Sequence, residues 1–186
     1  MPVRMGQRWA LLWLLVALLL ASSAVASRFE GVASCAGSTC HGRAEGNGAV
    51  VRQDELRLWQ EPSSRGGAHS RAYAALLTPR GQRIAGTLGL GPAGSAAACL
   101  GCHATPAGQR GDRFQLTDGV GCETCHGAAS SWIASHYAVG ASHAANIANG
   151  LPPLDRAQVR AEICLDCHLG SGKPGQFVTH AMMAAG

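Results

Sequence analysis

Eight cysteines fall into four pairs, and a histidine directly follows the second cysteine of every pair. Three pairs are Cys-x-x-Cys-His: Cys99 and Cys102 before His103, Cys122 and Cys125 before His126, and Cys164 and Cys167 before His168. The first, Cys35 and Cys40 before His41, has four residues between its cysteines. This is the pattern for covalent attachment of haem c: two thiols form thioethers to the porphyrin edge, and the turn between them presents the next imidazole to the iron. A disulfide framework also uses cysteines in even number, but it has no reason to set histidine after each pair. One structural zinc takes four ligands, which four Cys-Cys-His triplets outnumber. The spacing therefore predicts four covalently attached haem c groups, with His41, His103, His126 and His168 as proximal iron ligands. No cysteine is left over.

Four further histidines remain: His69, His136, His143 and His180. Four haems each need a second axial ligand, so these four are the candidate distal ligands. Met182 and Met183 are rival axial ligands, although methionine beside haem more often packs. Two imidazoles fill the coordination sphere of an iron, which can then exchange electrons but offers no site for substrate. An open distal position would permit binding or reduction of a small molecule.

Residues 1–26 read as a secretory signal peptide. Arg4 and Arg8 make a basic leader, Trp9–Leu20 is almost wholly apolar, and Ala24-Val25-Ala26 is a small-x-small cleavage site. The apolar run is short for a membrane span, which takes about 20 residues. Membrane contact is expected only if that leader stays uncleaved as an anchor. Export fits haem c, which is attached beyond the energy-transducing membrane, and points to a bacterial periplasm. Residues 27–186 then form one domain in which basic and acidic side chains nearly balance. Lys173 is the one lysine and there is no basic run, so nucleic acid is not an expected partner. Aromatic residues make up 5% of the chain and glycines number 25, so side chains alone would build a thin core. Haem is expected to supply the missing apolar mass, and the haem-free chain to be largely unfolded.

Mainly short α-helices with extensive loops are expected, in a compact tetrahaem cytochrome c fold. Asp54–Gln60 reads as a helix start, with Trp59 against haem. Ala68–Leu77 reads as a helix stopped by Pro79 and Gly81, followed by a glycine-rich loop to Gly94. Ser95 would cap a short helix delivering Cys99 and Cys102. Thr105–Thr117 reads as a connector, with Phe114 and Leu116 buried and a short hairpin strand. Gly140 would break the alanine-rich stretch that carries Trp132, His136 and His143. Asp155 reads as the N-cap of a helix leading into Cys164 and Cys167, and Pro174 as the start of a last helix with Phe177 and His180 on one face.

The stretch Gly119-Val120-Gly121-Cys122-Glu123-Thr124-Cys125-His126-Gly127 is the most specific in the chain. With Ala68-His69-Ser70-Arg71-Ala72 after the first motif, Cys99–His103, His136 or His143, and Cys164–Leu169, it resembles the multihaem c-type cytochromes. These are typified by the tetrahaem cytochrome that accepts electrons from hydroxylamine oxidoreductase in ammonia oxidisers. The resemblance implies a mostly helical fold with haems in stacked and perpendicular pairs, and distal ligands that cross between motifs. By it, His69 would serve the haem of Cys122 and Cys125, His136 or His143 the first haem, and His180 the fourth. The second haem is five-coordinate in the ammonia-oxidiser protein, and here the spare histidine could close it. Two departures stand out. The first motif has its wider spacer, and the chain stops soon after His180 where related sequences continue, as a shortened relative or a piece of a larger multihaem protein.

The function expected is electron carriage, not catalysis: a periplasmic relay between a quinol- or dehydrogenase-linked donor and a terminal reductase or another cytochrome. Redox partners would dock transiently at exposed haem edges. The alternatives are a multihaem reductase of a small nitrogen or sulfur compound using one five-coordinate haem, and a haem module of a larger redox complex. The absence of a Cys-x-x-Cys-Lys motif weighs against a pentahaem nitrite reductase.

Overall fold

The computed structural model describes residues 26–49, 51–105 and 108–186. The expected leader, apart from Ala26, lies outside them. The described residues are mostly short helices joined by turns. Two strands of two residues, β1 (Arg28–Phe29) and β2 (Gln109–Arg110), pair in parallel, with Arg28 opposite Gln109. The hairpin expected near Phe114 is therefore a small parallel clasp that ties the segment before the first motif to the connector after the second. Phe29 and Phe114 close it edge to face at 6.5 Å.

Four helices follow the first motif: α1 (Glu55–Gln60), α2 (Gly67–Ser70), α3 (Ala72–Leu77) and α4 (Pro79–Thr87). The expected helix over Ala68–Leu77 is thus two, bent at Arg71. Pro79 does not end helical structure but starts α4. It sits in the first turn, where its missing N–H is harmless, and the Thr78 side chain accepts from the Gly81 N–H. The glycine-rich run expected as loop is therefore partly helix. Next come α5 (Ala97–His103), α6 (Cys122–His126), α7 (Ile133–His136) and α8 (His143–Ala148). Gly140, with φ +78°, separates α7 from α8 as expected.

The longest described helix, α9 (Ala157–His168), starts one residue later than Asp155 would set it, with Arg156 at its N-cap. Asp155 instead faces His143. The last helix, α10 (His180–Ala185), starts at His180 rather than Pro174, because the Thr179 side chain accepts from the Met182 N–H and caps it there. Phe177 consequently lies in a loop and is exposed. No described helix is long and apolar enough to cross a membrane.

Among the described residues, buried apolar side chains gather in two small clusters. One joins Leu76, Ala85 and Ala93, flanked by Tyr73, Leu90, Cys99 and Leu100; the other joins Ala129, Trp132 and Leu151. Neither reaches across the molecule. Long-range hydrogen bonds also converge on the Cys-Cys-His motifs.

Candidate haem-binding site

Three motifs sit at helix ends. His103, His126 and His168 are the last residues of α5, α6 and α9, so the helical turn that carries each cysteine pair also aims its imidazole. The wider Cys35–Cys40 motif is built from turns instead: the Cys40 N–H donates to Gly37 O at 2.8 Å, and the His41 N–H to Cys35 O at 3.2 Å. No disulfide joins any of the eight cysteines.

The third motif is the hub. Glu123, between its cysteines, is buried, and its carboxylate accepts from the N–H groups of Glu30 (2.8 Å), Gly31 (2.7 Å) and Ala129 (2.7 Å). Three backbone donors satisfy this buried charge and pin α6 to β1 and to the Trp132 segment. On the other side the Thr105 hydroxyl donates to Gly119 O and accepts from Gly121 N–H and the Thr124 hydroxyl. The Trp59 indole donates to Val120 O at 2.9 Å, so this ring ties α1 to the third motif. Gly119 has φ +69°, and a Cβ there would come within 2.7 Å of His69 O. Glycine thus lets the Val120 N–H reach His69 O at 3.0 Å.

Cysteines of different motifs meet. The neighbouring Cys122 thiol, and then burial, push the Cys35 thiol upward. Burial, then the neighbouring Cys167, pushes the Cys102 thiol up to about 11. Burial raises Cys125 as well, with Cys164 the nearest charge acting in the same direction. The fourth motif touches the second, with Cys167 Sγ 3.7 Å from Gly101 O. Gln176 completes that junction, donating to Gly101 O at 3.1 Å from the loop after α9.

The imidazoles also come together across motifs. His41 and His136 are stacked, with ring centroids 5.9 Å apart and planes 12° from parallel. His69 and His168 lie 6.2 Å apart at 65°. The resemblance set His69 opposite His126; its main chain does hold to the third motif, but its ring faces His168. His126 neighbours His41 and His136: burial first, then those two rings, hold its pKa below the ordinary imidazole value. His103 Nδ1 lies 2.9 Å from Ala72 O, a contact that fixes its ring. His143 turns Nε2 to Asp155 Oδ1 at 3.5 Å, both side chains being exposed. His180 is exposed at the start of α10.

These residues fit haem. A metal–imidazole bond is about 2 Å long, so two imidazoles on one iron place their centroids about 6 Å apart, the separation of both observed pairs. Among the described residues no three His, Cys, Asp or Glu side chains converge on a bare ion. Donors set in opposed pairs suit a metal whose remaining ligands come from a porphyrin. A cavity of about 400 Å³ lies between the second and fourth motifs, lined by Leu100, Gly101, Thr105, Ile163, Cys167 and Gln176. Beside it Leu165, Leu169 and Phe177 are exposed apolar side chains. Trp132, edge-on to His136 at 5.6 Å, has a buried Nε1 without a partner among the described residues. An acceptor such as a haem propionate is what that N–H lacks.

Sequence reasoning did not single out Glu123, Thr105 or Glu55. Glu123 carried a signal, since it lies inside the most specific stretch of the chain. Glu55 carried none: its partner His41 meets it only through folding.

The motifs also match known proteins in sequence. The family model described as cytochrome c554 and c-prime matches residues 35–127, from the first cysteine of the first motif to the glycine after the third. Two relatives are the C-type polyheme cytochrome OmcB of Geobacter sulfurreducens strain DL-1 / KN400 and that of strain ATCC 51573 / DSM 12127 / PCA. Each is 35% identical over 114 residues, which cover 53% of this chain and 13% of the relative. The chain thus spans a small part of the length of these relatives. No solved structure matches.

Proposed function

Because the chain belongs to the cytochrome c554 and c-prime family, a family of multihaem c-type cytochromes with covalently bound haem c, we propose that it is a periplasmic electron carrier with four haems. Bound haem supplies one-electron exchange between ferric and ferrous iron. The chain's part is to hold and orient. The eight cysteines fix the porphyrin edges as thioethers, and His41, His103, His126 and His168 hold the irons from the proximal side. His136 is the distal ligand opposite His41, and His69 the one opposite His168. His143 and His180 are the remaining candidates for the other two irons.

The observation that carries this reading is the pairing of imidazoles from different motifs at 5.9 Å and 6.2 Å. The contact of Cys167 with Gly101 sets the second and fourth motifs side by side in such a relay. Donors would be quinol- or dehydrogenase-linked and acceptors a terminal reductase or another cytochrome, docking through small interfaces. The much greater length of the OmcB relatives supports the alternative of a haem module within a larger protein or complex.

Intact-mass measurement and spin-counted EPR of the oxidised holoprotein test the proposal. We expect four haems, all low-spin. One high-spin ferric haem per molecule would instead favour the reductase reading. Free thiols at Cys35 and Cys40 would overturn the count of four.

A further inference from the structure

Among the described residues, Glu55 is the carboxylate that stands against a proximal histidine, His41. Its Oε2 lies 3.0 Å from His41 Nδ1, and its Oε1 accepts from the Arg52 N–H at 2.7 Å. With Nε2 facing the iron, His41 must carry its proton on Nδ1, so the imidazole donates and the carboxylate accepts. His103, by contrast, offers its Nδ1 to a neutral backbone carbonyl. On the opposite ring of the first pair, His136 Nδ1 is 3.4 Å from the Asn146 carboxamide, also a neutral group.

The backbone is arranged to hold this contact. Gln53 has φ +65°, a left-handed conformation that non-glycine residues seldom adopt and that stores about 1 kcal/mol or more of strain. That turn sends Asp54 inward between Arg52 and Arg57 and leaves Glu55 as the first residue of α1. Two backbone bonds then zip this segment to the first motif: Arg43 N–H to Gln53 O at 2.8 Å, and Leu56 N–H to His41 O at 3.0 Å. His41 is thus held by its main chain and by its ring, both from the same short stretch. Strain next to a clamped carboxylate is what a positioning element looks like.

We infer that Glu55 is the positioning residue that sets the haem of Cys35 and Cys40 at the low-potential end of the relay. A carboxylate that draws on Nδ1–H gives the ring imidazolate character and makes Nε2 a stronger donor. A stronger axial donor favours ferric over ferrous iron, which lowers the reduction potential. The contact is part-exposed, with 43% of the Glu55 side chain and 30% of the His41 side chain accessible. The tuning is therefore partial, and the charge matters because the other proximal Nδ1 contact described, at His103, is to an uncharged acceptor.

This inference rests on the reading that the first motif carries haem, and the test separates the two. Holoprotein of wild type, Glu55→Gln and Glu55→Asp is titrated potentiometrically, with each ferric haem followed by its EPR signal and haem counted by intact mass. In Glu55→Gln one of the four waves is expected to move to higher potential, with a changed low-spin signal for that haem alone. Glu55→Asp, which keeps the charge, should bring it back towards wild type. Four haems with superimposable waves, or all four waves moving together, would overturn the role of Glu55 and leave the tetrahaem reading standing. Three haems in wild type, with Cys35 and Cys40 free, would overturn both.

Discussion

Asp54 has no exposed side-chain surface, and its two oxygens are held by Arg52 Nε at 3.1 Å and an Arg57 guanidinium nitrogen at 2.8 Å. The hydrogen bond from Arg52 keeps its carboxyl below the ordinary range; burial works against this, and the bond from Arg57 reinforces it. A depressed carboxylate pKa makes the folded state bind fewer protons than the unfolded chain in the acid range. Its contribution is therefore fully present above the unfolded value of about 3.9 and is lost as pH falls through the folded value. Urea midpoints of the holoprotein from pH 7 down to pH 2 should show an acid limb below about pH 4, and Asp54→Asn should flatten it while lowering the midpoint at pH 7. An unchanged limb in the variant would mean that other carboxylates govern acid stability. The same residue illustrates what a chain conceals: as sequence, Asp54 is a helix start, and its burial between two arginines depends on the left-handed turn at Gln53.

At the scale of elements, one substitution has opposite signs in two helices. A Cβ on Gly101 in α5 would stand 2.1 Å from Gly175 O, at the junction between the second and fourth motifs, whereas a Cβ on Gly86 in α4 meets nothing within 4 Å. Gly101→Ala should destabilise by about 1–3 kcal/mol through overpacking. Gly86→Ala should stabilise by about 0.5–1 kcal/mol by helix propensity alone. Thermal denaturation of the two variants checks both, and equal shifts would mean that the junction gives way freely. The helices that carry cysteine pairs were legible in sequence because covalent chemistry fixes a motif locally. Thus the end of α5, the end of α9 and the break at Gly140 follow expectation, while Ser95 turns its hydroxyl to Pro92 O and leaves Ala96 as the N-cap of α5. Where a helix starts depended on hydroxyls competing for N–H groups, which is why Thr78 and Thr179 moved the boundaries expected at Pro79 and Pro174. His136 stacks on His41 of the first motif, where the resemblance set His136 or His143, but the ring of His69 meets His168 and not His126. His69 is joined to the third motif by its main chain and to the fourth by its ring, and only the fold distinguishes the two.

Over the whole molecule the clusters around Leu76 and Trp132 are too small to offset the chain entropy of a domain this size. Haem must act as the core, so the native state should depend on attachment. With all eight cysteines replaced by serine, far-UV circular dichroism should show little helix, and retention of most of the signal would mean that the polypeptide folds without its cofactor. The clamp on Glu123 has a consequence for how such a molecule comes together. Its carboxylate answers to Glu30, Gly31 and Ala129, so the stretch before the first motif finds its partners only in and after the third. A chain made from its N-terminus must therefore keep its earliest segment waiting, and what is synthesised first is among the last parts to lock.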